Sequence, residues 1–131
     1  KGPFDLIYYD PPYNQHKYSH KYFLYNVIAT NKKAKNWLEV THMPSADERN
    51  ESEYNKEDTA IKAMEELIAD SLKISKYLLI SYNDEGIISA KNWKKLLDPY
   101  DYVKLKKRYK RYSGRDGAGG QVYEILYLIS A

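Results

Sequence analysis

Phe4-Asp5-Leu6-Ile7-Tyr8-Tyr9-Asp10-Pro11-Pro12-Tyr13 is the stretch that decides the fold. The first six residues, apolar or aromatic apart from Asp5, read as a strand buried on both faces, as strands of parallel sheets are. Two prolines then stop it. Neither carries an N–H, and each fixes its own φ and pushes its predecessor toward extended geometry. The outcome is a stiff turn that offers carbonyl oxygens and one carboxylate, with almost no competing donors. Such a turn suits a site that holds an amino group, and Tyr13 sets a flat ring beside it. The plainer alternative is a proline-rich turn in which Asp10 is a capping residue.

Working outward, the period leaves Lys21–Ala29 open between helix and irregular chain. Asn36 to Tyr54 is polar and aperiodic, which predicts a long surface excursion. Asn55 is a candidate helix cap, followed by Ile61, Met64, Leu67, Ile68 and Leu72 at helical spacing, a core-facing stripe. Tyr77–Tyr82 reads as a second buried strand. Ser89 is placed to cap a helix with Trp93, Leu96 and Leu97, which stops before Pro99. Tyr102–Tyr112 puts Lys104, Lys106, Arg108 and Lys110 on one face, the pattern of a charged edge strand. Val122–Ile129, apolar on both faces, is predicted to be central. Strand, helix, strand, helix and hairpin together predict α/β architecture, a mixed sheet with two parallel strands and a C-terminal antiparallel hairpin.

Asp10-Pro11-Pro12-Tyr13-Asn14-Gln15, followed by Tyr18, resembles the catalytic loop of adenine-specific DNA methyltransferases of the Dam-like class. Leu78-Leu79-Ile80-Ser81-Tyr82-Asn83-Asp84-Glu85-Gly86 is similar to that family's next strand and turn. Tyr109–Arg115 followed by Val122–Tyr127 is similar to its closing hairpin. The three stretches run in order along nearly the whole chain. The resemblance implies a partial Rossmann-like AdoMet-dependent methyltransferase fold. Its fourth to seventh strands would lie in the spatial order fourth, fifth, seventh, sixth. The family's Gly-rich AdoMet-binding loop and its target-recognition region normally precede the first motif. Residues 1–131 are therefore expected to be the C-terminal portion of one catalytic domain, with the main loop for S-adenosyl-L-methionine outside this chain. Phe4–Tyr9 would then be an unprotected sheet edge through which copies of the chain self-associate.

The resemblance assigns Asp10, with the Pro11 carbonyl, as acceptor of the amine hydrogens, held in the stiff frame of Pro11 and Pro12. It assigns Tyr13 to stack on a flipped adenine. Asn14, Gln15 and Tyr18 would line the pocket, contact the flipped strand or shape the loop. Tyr82 and Asn83 lie near the pocket wall or are buried structural residues. The expected activity is site-specific methylation of duplex DNA within a restriction-modification system of a bacterial cell. Rival readings are a related enzyme acting on RNA adenine, cytosine or glutamine, and a non-catalytic DNA-binding subunit. Asp at the first motif position favours adenine by resemblance.

Composition narrows the class. The chain has 131 residues, enough for one core, and no apolar run approaches the ~20 residues of a membrane span. It contains no cysteine, so thiolate metal sites are excluded and a cytoplasmic setting is expected. His16, His20 and His42 lack convincing ligand spacing, and no metal is expected. Net charge is only +3, but it is segregated. Tyr102 to Arg115 holds seven Lys or Arg and no acid, whereas His42 to Asp70 holds nine acids and three bases. Lys106, Arg108, Lys110, Arg111 and Arg115 are the candidate phosphate contacts; a solvated edge strand is the alternative.

Overall fold

A computed structural model describes residues 4–14, 22–32, 35–38, 43–45, 52–110 and 121–130. In chain order these form strand β1 (Phe4–Tyr9), helix α1 (Phe23–Thr30) and a short ladder of β2 (Trp37–Leu38) with β3 (Met43–Pro44). A 3-10 turn (Glu53–Asn55) leads to helix α2 (Ala60–Ile74), strand β4 (Ser75–Asn83) and helix α3 (Ala90–Leu97). The hairpin strands β5 (Asp101–Lys110) and β6 (Gln121–Ser130) complete the order. The four long strands make one mixed sheet in the order β1-β4-β6-β5. β1 and β4 are parallel, and β6 is antiparallel to both its neighbours. This is the order that the resemblance implies, with β5 at the edge and β6 inside.

Strand alternation divides the sheet into two faces with different fates. Leu78, Ile80 and Tyr82 of β4 share a face with Ile129, Tyr127 and Ile125 of β6. Met64 and Ile68 of α2 and Trp93 and Leu97 of α3 cover that face, and all ten side chains are buried. Ile61, Leu67 and Leu72 pack against the same core, as the helical stripe predicts. α3 starts where Ser89 accepts the Asn92 N–H on its hydroxyl at 3.3 Å. Trp93 stacks on Tyr127 with ring centroids 4.5 Å apart.

The opposite face is bare among the described residues. Register brings together Phe4, Leu6 and Tyr8 of β1, Tyr77 and Leu79 of β4, Leu126 and Leu128 of β6, and Val103 and Leu105 of β5. Phe4, Leu6, Tyr8, Tyr77, Val103 and Leu105 are 49% to 61% exposed. α1 adds to the apolar surface, because Leu24, Tyr25 and Ile28 are exposed and none of its residues is buried. The expectation that Phe4–Tyr9 is fully buried is thus corrected: only Ile7 and Tyr9 pack on the core. No described strand pairs with the outer edge of β1. Among the described residues no helix is long and apolar enough to cross a membrane.

Asn55 does not cap a helix. Lys56 O takes the N–H groups of Thr59 and Ala60, so α2 begins after Thr59, which makes no side-chain cap. The Asn55 amide is directed elsewhere, as described below.

Tyr127 carries a specific expectation. Its hydroxyl is buried without a hydrogen-bond partner among the described residues. Burial, then the neighbouring Tyr102 and Tyr82 phenols, push its pKa up to about 12. The folded chain therefore holds this proton more tightly than the unfolded chain. Stability should fall as pH rises from the unfolded value near 10 toward 12. Tyr127→Phe should leave stability at pH 7 within about 1 kcal/mol of wild type, or raise it, and should flatten the alkaline fall. Urea unfolding at pH 7, 10 and 11 checks both; a loss above ~2 kcal/mol at pH 7 would reveal a bonded hydroxyl.

Candidate active site

Parallel β1 and β4 end on the same edge of the sheet, the edge where open α/β sheets bind ligands. Tyr9 lies opposite Ile80, so the chain leaves β1 at Asp10 beside the last three residues of β4, Ser81, Tyr82 and Asn83. Pro11 is buried and anchors the turn, while the Asp10 side chain is exposed. Pro12, Tyr13 and Asn14 are half-buried. The structure therefore brings Asp10, Pro11, Pro12, Tyr13 and Asn14 together with Tyr82 and Asn83. Gln15 and Tyr18 lie outside the described residues.

The turn is held by groups that are distant in sequence. Ile87 donates its N–H to the Tyr13 carbonyl at 2.8 Å. The Asn55 side-chain amide donates to the Asn14 carbonyl at 2.6 Å. The Tyr13 ring meets Tyr82 edge-on, with centroids 6.1 Å apart and planes at 72°. Tyr82 in turn meets Trp93 at 5.0 Å and 67°. Its hydroxyl accepts the Ile88 N–H at 3.0 Å. Burial raises the Tyr82 pKa, and the bond from Ile88 opposes the rise.

Asn83 is buried and shapes the following turn. Its side-chain oxygen accepts the Glu85 N–H at 2.8 Å, and its carbonyl accepts the Gly86 N–H at 3.0 Å. Asp84 and Tyr123 then tie this turn to β6: Tyr123 N–H donates to the Asp84 carboxylate at 2.9 Å, and Asp84 N–H to the Tyr123 carbonyl at 3.1 Å. The sequence reading missed Asn55, Gly86 and Ile87 as parts of this site. Only Gly86 left a signal, as the end of the turn motif; a backbone N–H such as that of Ile87 leaves none.

The basic strand lies at the far edge of the sheet, about 14 Å from β1 at three strand spacings. Its C-terminal end points to the same sheet edge as Asp10, because β5 runs antiparallel to β6 and so along β4. Lys104, Lys106 and Arg108 are exposed and share a face. The Lys106 ammonium sits 3.9 Å from the Tyr123 ring centroid and 3.7 Å from the Asp84 carboxylate. Lys110 ends β5; Arg111 and Arg115 lie outside the described residues.

A groove of about 300 Å³ runs along α2 beside Tyr9, lined by Tyr54, Leu67, Ile74, Glu53, Glu66 and Asp70 among others. It does not include Asp10, so it is separate from the turn. Among the described residues, no group of three or more His, Asp or Glu could hold a metal ion.

Three curated methylases align with nearly all of this chain. Modification methylase StsI of Streptococcus sanguinis is 28% identical over 138 residues, 95% of this chain and 19% of its own length. Type II methyltransferase M.NlaIII of Neisseria lactamica is 27% identical over 135 residues, 95% of this chain and 37% of its own. Type II methyltransferase M.CviAII of Paramecium bursaria Chlorella virus 1 is 31% identical over 127 residues, again 95% and 37%. The chain thus spans a fifth to little more than a third of the length of these relatives. No protein-family model matches it, and no solved structure matches it significantly.

A Cβ on Gly86 would overlap Tyr82 Cε1 and lie 2.8 Å from its Cζ. The ring cannot yield freely, being held by Trp93 and Ile88. Gly86→Ala should therefore destabilise the fold by roughly 1–3 kcal/mol. An unfolding midpoint equal to wild type would mean that the Tyr82 ring moves without penalty.

Proposed function

We propose that this chain is the C-terminal portion of the catalytic domain of a site-specific DNA methyltransferase of a restriction-modification system. Its substrate would be the exocyclic amine of adenine in duplex DNA. One observation carries the reading: an Asp-Pro-Pro-Tyr turn leaves parallel β1 at the ligand-binding edge, in a chain aligned with modification methylases over 95% of its length. The Rossmann-like assignment is supported by the order β1-β4-β6-β5 with an antiparallel β6. Adenine, rather than another amine, is favoured by Asp10 at the first motif position.

S-adenosyl-L-methionine would supply a methyl carbon on a sulfonium sulfur that leaves as a thioether. The described residues fit only one side of a site for it. They include no Gly-rich loop opening a helix, and the groove beside α2 does not include Asp10. The resemblance assigns the main cofactor-binding loop to sequence outside this chain. The residues here act on the amine. Its lone pair is delocalised into the ring, so it is a poor nucleophile. The Asp10 carboxylate and the Pro11 carbonyl accept its two hydrogens, favour the pyramidal nitrogen and stabilise the positive charge that develops on it. The excess proton then leaves to solvent. Tyr13 stacks on the base, partly offsetting the few kcal/mol of flipping.

Lys106, Arg108, Lys110, Arg111 and Arg115 on and beyond β5 would contact phosphates and give affinity without sequence choice. The bare sheet face and the outer edge of β1 would be interior in the full-length enzyme, covered by the rest of the polypeptide. Parallel strands, such as the pair β1 and β4 here, are typical of α/β sheets covered on both faces. The length of the relatives beyond the aligned stretch supports that occupant.

Asp10→Ala in the full-length enzyme should lower single-turnover methylation of duplex DNA by ~10²–10³, with DNA affinity little changed. Labelled AdoMet followed by nucleoside analysis reads both the rate and the identity of the methylated base. A near wild-type rate would remove Asp10 from the mechanism, and methylcytosine as product would overturn the adenine assignment.

Residues 1–131 alone should self-associate through the bare face and the Phe4–Tyr9 edge, since both are apolar and neither carries a protecting charge at its centre. Sedimentation across a concentration series tests this. The pair Leu6→Lys and Leu105→Lys should shift the chain toward monomer. A strict monomer in the wild type would mean that this surface is stable in water.

A further inference from the structure

The double proline that stiffens the catalytic turn also removes two of its N–H donors. The turn therefore has little means of bonding to itself, and its carbonyls must find donors on other elements. Two consecutive carbonyls do so. Tyr13 O takes the Ile87 N–H from beyond β4, and Asn14 O takes the Asn55 side-chain amide at 2.6 Å from before α2. Asn55 is only 7% exposed, and it caps no helix.

Its platform is rigid. Asn55 N–H donates to the Ser52 carbonyl at 3.0 Å, and the Ser52 hydroxyl accepts the Tyr54 N–H at 3.4 Å. The Thr59 hydroxyl donates to the Glu53 carbonyl at 2.7 Å. The Tyr54 hydroxyl donates to the Ala63 carbonyl at 3.4 Å, one turn into α2. A buried polar side chain presented from a turn stapled to α2, and spent on the residue next to Tyr13, is placed to set that loop.

We propose that Asn55 is a positioning residue for methyl transfer, fixing the height of the Asp10–Tyr13 turn through the Asn14 carbonyl. The proposal rests on reading that turn as the catalytic one. Without the amide, the Asn14 carbonyl loses its bond to the 3-10 turn before α2, and the acceptors at Asp10 and Pro11 drift from the amine. Ångström-scale misplacement of aligned groups costs up to about 10²-fold in rate.

The test uses the full-length enzyme in single-turnover assays with duplex DNA and labelled AdoMet. Asn55→Ala should lower the rate per folded molecule by roughly 10- to 100-fold, while Kd for DNA and for AdoMet stay within about threefold. Asn55→Asp keeps the shape but turns a carboxylate oxygen toward the Asn14 carbonyl. Once protonated, that side chain regains a donor. The ratio of its rate to wild type should therefore rise as pH is lowered from 8 to 6, because burial favours the neutral acid. This second variant keeps the proposal testable if Asn55→Ala folds poorly. A structural role alone would lower the unfolding midpoint of both variants and leave the rate per folded molecule, and its pH ratio, unchanged; that result overturns the proposal. A wild type that makes no methyladenine would instead refute the functional reading beneath it.

Discussion

The contact between Tyr82 and its neighbours is the constraint on which the rest of the described structure depends. Tyr82 is the last core-facing residue of β4, so its ring is driven into the core by the same alternation that buries Leu78 and Ile80. There it touches both the core and the turn that follows β1. Toward the interior it meets Trp93, which stacks on Tyr127 of the central strand. Toward the ligand edge it meets Tyr13 of the Asp-Pro-Pro-Tyr turn. The aromatic series Tyr127, Trp93, Tyr82, Tyr13 thus runs from the middle of the sheet to the proposed site. Aromatic pairs of this geometry contribute about 0.5–1.5 kcal/mol each beyond the area they bury.

That column explains why the following turn has the residues it has. The Tyr82 hydroxyl needs a partner in the core and takes the Ile88 N–H. Reaching it forces the chain at Gly86 against the ring, at a distance that excludes a Cβ. Asn83 tightens the same turn by accepting the Glu85 N–H. The turn then delivers Ile87 to the Tyr13 carbonyl. A packing requirement inside the protein is in this way converted into a fixed position for a loop at its edge.

The two faces of the sheet give a second contrast. One is closed by α2 and α3 and contains the core; the other presents Leu6, Tyr77, Val103 and Leu105 to solvent among the described residues. Charge separates along another axis. Acids cluster along the groove beside α2, and Lys104, Lys106 and Arg108 occupy β5 at the far edge of the sheet. Lys106 is partly engaged by Asp84 and Tyr123, which orients its ammonium near the loop that follows β4.

Much of this was legible in the residues themselves, because it rests on local rules. Alternation and apolar runs located β1, β4, β5 and β6, helical spacing located α2, and Ser89 with Pro99 bracketed α3. Two prolines after an apolar run marked the turn, since their lost donors and fixed φ hold in any context. What needed the tertiary structure was every relation between distant segments. Periodicity says that a strand has apolar faces, not which of them is covered, so Phe4–Tyr9 read as buried when half of it is open. A side-chain amide has the same local signature whether it caps a helix or reaches another loop. Asn55 therefore read as a cap, and only the packing of α2 against the sheet brought it to Asn14, 41 residues away.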